Sequence, residues 1–310
     1  MKRVGFIFPG QGSQALGMGK DFYDNSDVAK SMFDAASNAI DTDMKSLLWE
    51  DEAKLGQSLY TQPAILLVSA IAHKLFENEM AVKPVFALGH SLGEFSALTA
   101  VGALSLEDAV YTVHNRGKWM QEACEGKDAG MMVVLGLSDE DTVKIVDGAR
   151  QSGKDVWAAN FNSDGQIVLA GKRADLETLT DALKGAGAKR AMLLNMSVAS
   201  HCPMLEPATS KLQAVLNERL NGEFMAPVIS NVTAQAYSTK ADALKLLPKQ
   251  LIEPVKYKHS LQNVENDVDL LIEFGHGSVL KGINKKVTKV ETISVSDMAS
   301  LEAAFESLKD

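Results

Sequence analysis

Two periodicities alternate along this chain. Short runs rich in apolar residues, at Val4 to Phe8, Val85 to Leu88, Pro227 to Val232, Leu270 to Phe274 and Val290 to Val295, have the length of strands, and the first two carry no polar side chain, as strands buried on both faces do. Between them, apolar residues recur at helical spacing over Ser26 to Ile40, Thr61 to Asn78, Leu92 to Ala100 and Ser105 to Cys124. The same spacing follows up to about Leu220, then over Thr239 to Ile252, Val279 to Lys286 and Ser300 to Leu308. Strand and helix in alternation predict an α/β layer structure with a largely parallel sheet.

The order changes after the polar break Glu125-Gly-Lys-Asp-Ala-Gly130. A strand at Met131 to Leu135 is followed by a helix at Asp139 to Arg150 and by strands at Val156 to Phe161 and Gln166 to Ala170, which flank the turn Asn162-Ser-Asp-Gly165. A helix at Ala174 to Lys184 and a strand at Arg190 to Leu194 complete the segment. This β-α-β-β-α-β order, in about 65 residues, is that of a ferredoxin-like unit. The expected organisation is a discontinuous large α/β domain, residues 1–126 and 196–310, interrupted by a ferredoxin-like subdomain over residues 127–195.

Composition narrows the function classes. Hydrophobic residues make up 46% of the 310 positions and charged ones 23%, ordinary values for a chain that buries a full core. With 31 Lys and Arg against 40 Asp and Glu, the net charge of -9 argues against nucleic acid or an anionic membrane as the main partner. Cys124 and Cys202 form no metal-ligand or redox spacing, which suits a reducing compartment, so the cytoplasm is expected. Lys2-Arg3 and Val4 to Phe8 mimic the start of a signal peptide, but Pro9-Gly10 ends the run too early. The longest later run, Ala64 to Ala72, is too short to span a bilayer. No H-E-x-x-H or similar spacing joins the six histidines, and no metal is expected.

The chemistry centres on Phe86-Ala-Leu-Gly89-His90-Ser91-Leu92-Gly93-Glu94, an apolar run that turns through G-x-S-x-G into a helical pattern. This is the pattern of a nucleophile elbow, as in α/β-hydrolase-like domains. Small residues two before and two after the serine allow a tight turn that pushes Ser91 outward, and the Leu92 N–H then lies at a helix N-terminus, where it favours a developing oxyanion. His201, in a loop before a helix, is the candidate general base. Cys202 is the weaker nucleophile candidate, because adjacent residues seldom face one another. The loop Pro9 to Gln14 has the wrong third glycine spacing for a dinucleotide site and lacks a Walker lysine. Arg116 falls on the apolar stripe of its helix, with Ala109 and Met120, and should point inward. Two readings are open for it, a structural ion pair with an internal Asp or Glu and a role in binding an anionic ligand.

With these residues in place, the chain resembles the bacterial malonyl-CoA:acyl carrier protein transacylases, and more broadly the acyltransferase domains of fatty acid and polyketide synthases. The resemblance runs nearly end to end. It is carried by Phe8-Pro-Gly-Gln-Gly-Ser-Gln14, Gly89-His-Ser-Leu-Gly-Glu94, the helix of Arg116, Asn160-Phe-Asn-Ser-Asp-Gly-Gln166, Ser197-Val-Ala-Ser-His201 and Gln250-Leu-Ile-Glu-Pro-Val-Lys-Tyr257. It implies transfer of a malonyl group from malonyl-CoA to the phosphopantetheine thiol of acyl carrier protein through a malonyl-serine, supplying fatty acid elongation. Ser91 would be the nucleophile and His201 the base, with the backbone N–H groups of Gln11 and Leu92 as oxyanion hole. Arg116 would grip the malonyl carboxylate. The backbone carbonyl of Gln250 would orient His201, and Asn160, Asn162 and Gln166 would line the cleft.

The resemblance also implies no resident cofactor, malonyl-CoA and acyl carrier protein as partners, no nucleic acid or membrane partner, and a monomer. Asp164, Lys256-Tyr257 and Gly275-His276-Gly277 depart from the usual proline, Arg-Trp and Gly-Pro-Gly. The first and third alter turns near the cleft, and the second weakens a cation-aromatic surface. Ser200 stands where some relatives carry a bulky aromatic that polices the acyl group. An acidic carrier protein needs a local basic patch, expected from Lys189, Arg190, Lys281, Lys285 and Lys286. The rival reading, a serine hydrolase, would need an acid and a late histidine, for which only Asp267 or Asp269 with His276 offer themselves.

Overall fold

The apolar runs pair as strands do when both of their faces are covered. The computed structural model describes residues 2–309, and among them ten strands form two sheets. In chain order these are Val4–Phe8 (β1), Phe86–Gly89 (β2), Ala129–Leu135 (β3), Val156–Ser163 (β4), Gln166–Lys172 (β5), Arg190–Leu193 (β6), Val228–Ile229 (β7), Ala236–Tyr237 (β8), Leu270–Phe274 (β9) and Glu291–Val295 (β10). The larger sheet has the order β10-β9-β1-β2-β7-β8 and is parallel except at its last pair. The smaller, β4-β5-β3-β6, is antiparallel throughout and lies inside the 127–195 segment. The chain is therefore mixed α/β, with a mostly parallel sheet and a separate antiparallel one.

Helices cover both faces of the large sheet. On one side, Phe6 meets Phe274 at 5.0 Å and edge-on, and Phe76 of the helix Ser58–Glu79 closes on Phe274 at 5.2 Å. The Ala64 to Ala72 run is thus the middle of a 22-residue helix, long and apolar enough by itself to cross a bilayer but with 83% of its apolar window buried inside the protein. The helix Leu106–Cys124 starts as its sequence promised, the Ser105 side chain accepting from the Asp108 N–H. It packs against Ser58–Glu79 along a stripe that includes Gly117, where a Cβ would sit 2.4 Å from the Ser58 carbonyl oxygen.

Several elements differ from the pattern, three of them instructively. The expected helix Ala174 to Lys184 is two, Arg173–Glu177 and Thr180–Gly185, because the Thr178 hydroxyl bonds back to the Asp175 carbonyl and Leu179 N–H to Leu176 in a tight turn. The expected strand Pro227 to Val232 shrinks to Val228–Ile229, since the Ser230 hydroxyl takes the Val232 and Thr233 N–H groups and turns the chain. The helix Tyr257–Val264 was not foreseen. Its Tyr257, read from the sequence as part of a surface, is fully buried, its hydroxyl donating to Asn284.

The two sheets are joined at one flank of the Gly89–Gly93 elbow. Val255 extends the edge strand β4, with Phe161 N–H donating to its carbonyl at 2.9 Å and its own N–H to Ala159 at 2.8 Å. Lys258 bonds Asp164 at 3.1 Å and also Asp139, so the Asp164 departure is an ion pair that ties the β4–β5 turn to the large sheet's helices.

Candidate active site

Ser91 sits at φ 52°, a left-handed conformation that a serine adopts only when its surroundings impose it. The two flanking glycines are what permit this. A Cβ at Gly89 would lie 1.8 Å from the Gly93 carbonyl carbon, and one at Gly93 would lie 2.1 Å from the Phe8 carbonyl oxygen. Asn231 then pins the turn from outside, its Oδ1 accepting the Ser91 N–H at 2.7 Å and its Nδ2 donating to the Gly89 carbonyl at 2.7 Å.

The side chain so presented lies 2.8 Å from His201 Nε2. His201 is itself left-handed, at φ 60°, in the loop ahead of the turn Pro203–Leu205. Its Nδ1 donates to the Gln250 carbonyl at 2.6 Å, which leaves Nε2 as an acceptor facing the Ser91 hydroxyl. That carbonyl is free because Gln250 is the last residue of the helix Lys240–Gln250, where backbone oxygens have no partner within the helix. Burial, reinforced by the nearby Arg116 charge, lowers the imidazole pKa to about 3, and the Gln250 carbonyl resists that shift. His201 is therefore neutral and ready to take a proton. Cys202 is buried, its thiol pushed up to about 12 by that burial, and it is unsuited to attack.

Arg116 is 1% exposed and points inward as its stripe required. Its hydrogen bonds go to neutral oxygens: Gln62 Oε1 at 2.8 Å, Gln250 Oε1 at 3.0 Å and Ser91 Oγ at 3.3 Å. The guanidinium lies 5.4 Å from the Phe95 ring, and its Nε has no partner among the described residues. Burial lowers its pKa to about 10, so it remains charged. Among the described residues no Asp or Glu forms an ion pair with it. The structural ion pair that its position allowed is not made.

Sequence reasoning missed a second layer. The carboxylate of Glu94, 1% exposed, accepts from Gln250 Nε2 at 2.7 Å, Tyr237 hydroxyl at 2.9 Å and Asn231 N–H at 3.1 Å. Burial raises its pKa to about 7, while these three donors favour the ionised form. The one available signal was Glu94 closing the elbow motif on a helix whose neighbours Gly93, Phe95 and Ser96 are all buried. His90 was likewise passed over. Its Nε2 lies 2.7 Å from Asn162 Oδ1, which links the elbow to β4 of the small sheet.

Ser91, His201, Arg116 and His90 face a cavity of about 290 Å³ between the two sheets. Ser91, His201, Arg116, Gln11 and Leu92 line it from the large sheet, and Met131, Asn160, Asn162, Val168 and Leu194 from the small one. Neither the Gln11 nor the Leu92 N–H finds an acceptor among the described residues, as an oxyanion site requires. Ser200 is also in the wall, a small side chain that leaves room.

Gln166, expected in the cleft, is not among the residues that line this cavity: it starts β5 opposite Leu135 and Ser163, beside the turn of the hairpin. The hydrolase alternative is not assembled, because Asp269 is paired with Arg3 at 2.7 Å and His276 is not among the residues that line the cavity with Ser91. Lys285 and Lys286 line a separate surface cleft with Glu265 and Asn266, whereas Lys189 and Arg190 are exposed where β6 begins. Among the described residues no cluster of His, Cys, Asp and Glu has metal-binding geometry.

A mostly parallel sheet, a strained serine at the C-terminal end of its strand and a histidine oriented by a backbone carbonyl define an α/β acyl-transfer class of protein. Comparison with known proteins makes this particular. The acyl transferase domain family matches residues 5–303. The malonyl CoA-acyl carrier protein transacylase of Bacillus subtilis is 40% identical, over 100% of this chain and 98% of that protein. The crystal structure of the malonyl-CoA:acyl carrier protein transacylase of Helicobacter pylori superposes with a TM-score of 0.97 at 49% identity, over 100% and 99% of the two chains. A malonyl-transacylase solved in complex with its type II polyketide synthase acyl-carrier protein gives 0.94 at 36% identity, over 98% and 99%. The chain belongs to the malonyl-CoA:acyl carrier protein transacylases of the acyl transferase family.

Proposed function

We infer that the chain moves a malonyl group from malonyl-CoA to the phosphopantetheine thiol of acyl carrier protein, for fatty acid synthesis, through an ester on Ser91. Relatives of that name along the whole length support the overall reaction, and the complex of one such transacylase with its carrier protein supports the acceptor. The observation that carries the substrate is Arg116: a buried cation with no ion-pair partner, 3.3 Å from the nucleophile's oxygen. A short acyl group bearing its own carboxylate supplies what that cation lacks.

The proposed steps use the groups that line the cavity. Ser91 Oγ bonds to the thioester carbonyl carbon as its proton passes to His201 Nε2, and the oxygen that gains charge points at the Gln11 and Leu92 N–H groups. Collapse breaks the C–S bond, and the His201 proton goes to the sulfur of departing CoA. In the second half the carrier thiol gives its proton to His201 and its sulfur takes the acyl carbon, after which Ser91 recovers the proton. The reading needs no resident cofactor, since one thioester is the substrate and the phosphopantetheine arrives on the partner. Exposed Lys189 and Arg190 stand at the start of β6, beyond whose other end Leu194 lies in the cavity wall, and they are our choice for the acidic partner's first contact. Two buried, unpaired cysteines suit a cytoplasmic setting.

Incubation with malonyl-CoA and no carrier protein should leave a malonyl adduct in the intact-mass spectrum. Ser91→Ala should abolish it and Cys202→Ala should not. An unchanged mass with rapid release of malonate would overturn the reading in favour of hydrolysis.

A further inference from the structure

Arg116, a cation, and Glu94, a carboxylate caged by three donors, are both fully buried, and they do not touch. Between them stands one amide. Gln250 Nε2 donates to Glu94 at 2.7 Å, and Gln250 Oε1 accepts from Arg116 Nη2 at 3.0 Å. We propose that Glu94 is the resident counter-charge of Arg116, held one amide away by Gln250 so that the guanidinium stays buried and ionised with donors left for the substrate's carboxylate. Glu94 is on this account a positioning residue. It acts through Gln250 and touches no reacting atom.

The orientation of the amide is dictated by what surrounds it. Its nitrogen faces three oxygens, those of Glu94, the Ser91 carbonyl at 3.0 Å and Asn231 Oδ1 at 3.3 Å, and its oxygen faces the guanidinium. A flipped amide would set oxygen against oxygen and N–H against a cation. The Glu94 carboxylate in turn receives donors from Gln250, Tyr237 and Asn231 and meets no acceptor, so the cage is built for the ionised form. A direct Arg116–Glu94 pair would balance the same charges, but it would occupy the donors that a ligand needs. The relay separates those two demands.

The charge has opposite effects on two steps. It repels an incoming carboxylate, and it stabilises the positive charge that forms on His201 when Ser91 gives up its proton. A malonyl group brings a replacement negative charge to Arg116, whereas an acetyl group brings none. Loss of the Glu94 charge should therefore damage acylation by acetyl-CoA more than by malonyl-CoA.

This inference rests on the carboxylate-clamp reading of Arg116, and the experiment separates the two. Glu94→Gln keeps the shape, since its carbonyl oxygen can still accept from Gln250 and Asn231 and its amide can donate to the Tyr237 oxygen. In the variant, the malonyl-over-acetyl ratio of kcat/KM for Ser91 acylation should rise about tenfold, with a lower KM for malonyl-CoA. A ratio that stays level or falls overturns the proposal. A double-mutant cycle of melting temperatures with Arg116→Met needs no activity: Glu94→Gln should cost less when the cation is already gone. Additive losses would show that the two charges are not coupled. If instead Arg116→Ala leaves the substrate preference unchanged, it is the clamp reading that fails, and the cycle still reads the coupling.

Discussion

The two walls of the candidate active-site cavity are built differently. The wall from the large sheet is a dense polar lattice in which Ser91, His201, Arg116, Gln250, Asn231 and Glu94 are held by hydrogen bonds of 2.6–3.3 Å. The wall from the small sheet sets apolar Met131, Val168 and Leu194 among the amides of Asn160 and Asn162, none of them charged, and its bond to the elbow is Asn162 to His90. The difference separates roles. Bond making and charge handling need groups fixed to a fraction of an ångström, which a buried network on rigid elements provides. Admitting a long thioester needs a wall that shapes the entrance without competing for the polar groups.

The deepest cut into this contrast is Ser91→Ala, expected to reduce malonyl transfer by a factor on the order of 10⁴ to 10⁶ while leaving the fold intact. It is checked by single-turnover transfer beside a melting curve, and residual transfer above that range would move the nucleophile elsewhere. Next is Arg116→Ala. Malonyl transfer should lose on the order of 2 to 5 kcal/mol, and acetyl transfer should hold or improve, shifting the preference by roughly two to three powers of ten. Parallel losses with both thioesters and a lower melting temperature would make Arg116 structural.

A third test uses acid. His201 and His73 are held neutral by burial, at about 3 and about 4 against an ordinary 6.5, so the unfolded chain binds protons first as pH falls. Their contribution is intact above 6.5 and is lost progressively toward those lowered values, for a cost on the order of a few kcal/mol. Denaturant midpoints across this window should fall with pH, and His201→Gln should flatten part of the slope. A slope unaltered in that variant would mean that His201 is not buried neutral.

The smallest effect should come from the other wall. Asn162→Ala leaves His90 without its acceptor, at about 1 kcal/mol, and should raise KM a few-fold while kcat is kept. A collapse of kcat would show that the small sheet takes part in the chemistry and would erase the contrast between the walls.

Much of this architecture can be read along the chain. The strand runs, the Ser105 cap, the elbow glycines and the inward face of Arg116 are local facts, because a two- or 3.6-residue period and a tight turn are legible within a few residues. The change from parallel to antiparallel order after Gly130 shows in the same way. Other features were less accessible. The length of β7 turned on the Ser230 hydroxyl competing for backbone N–H groups, and Tyr257 looked like a surface residue because a single aromatic carries no period of its own.

The polar network lies beyond that reach for a physical reason. Periodicity tells which face of an element is buried, and it is silent on which buried donor meets which acceptor. His201 and Gln250 are 49 residues apart, Ser91 and His201 110, Arg116 and Gln250 134. Only the closing of the large sheet brings a helix's last carbonyl to an imidazole and sets an amide between two buried charges. The sequence named a nucleophile, a base and an inward-facing cation whose partner it left open. That Glu94 stands behind that cation, one amide away, was decided by the tertiary fold, since unpaired buried charge is costly and the chain had to place its opposite within reach.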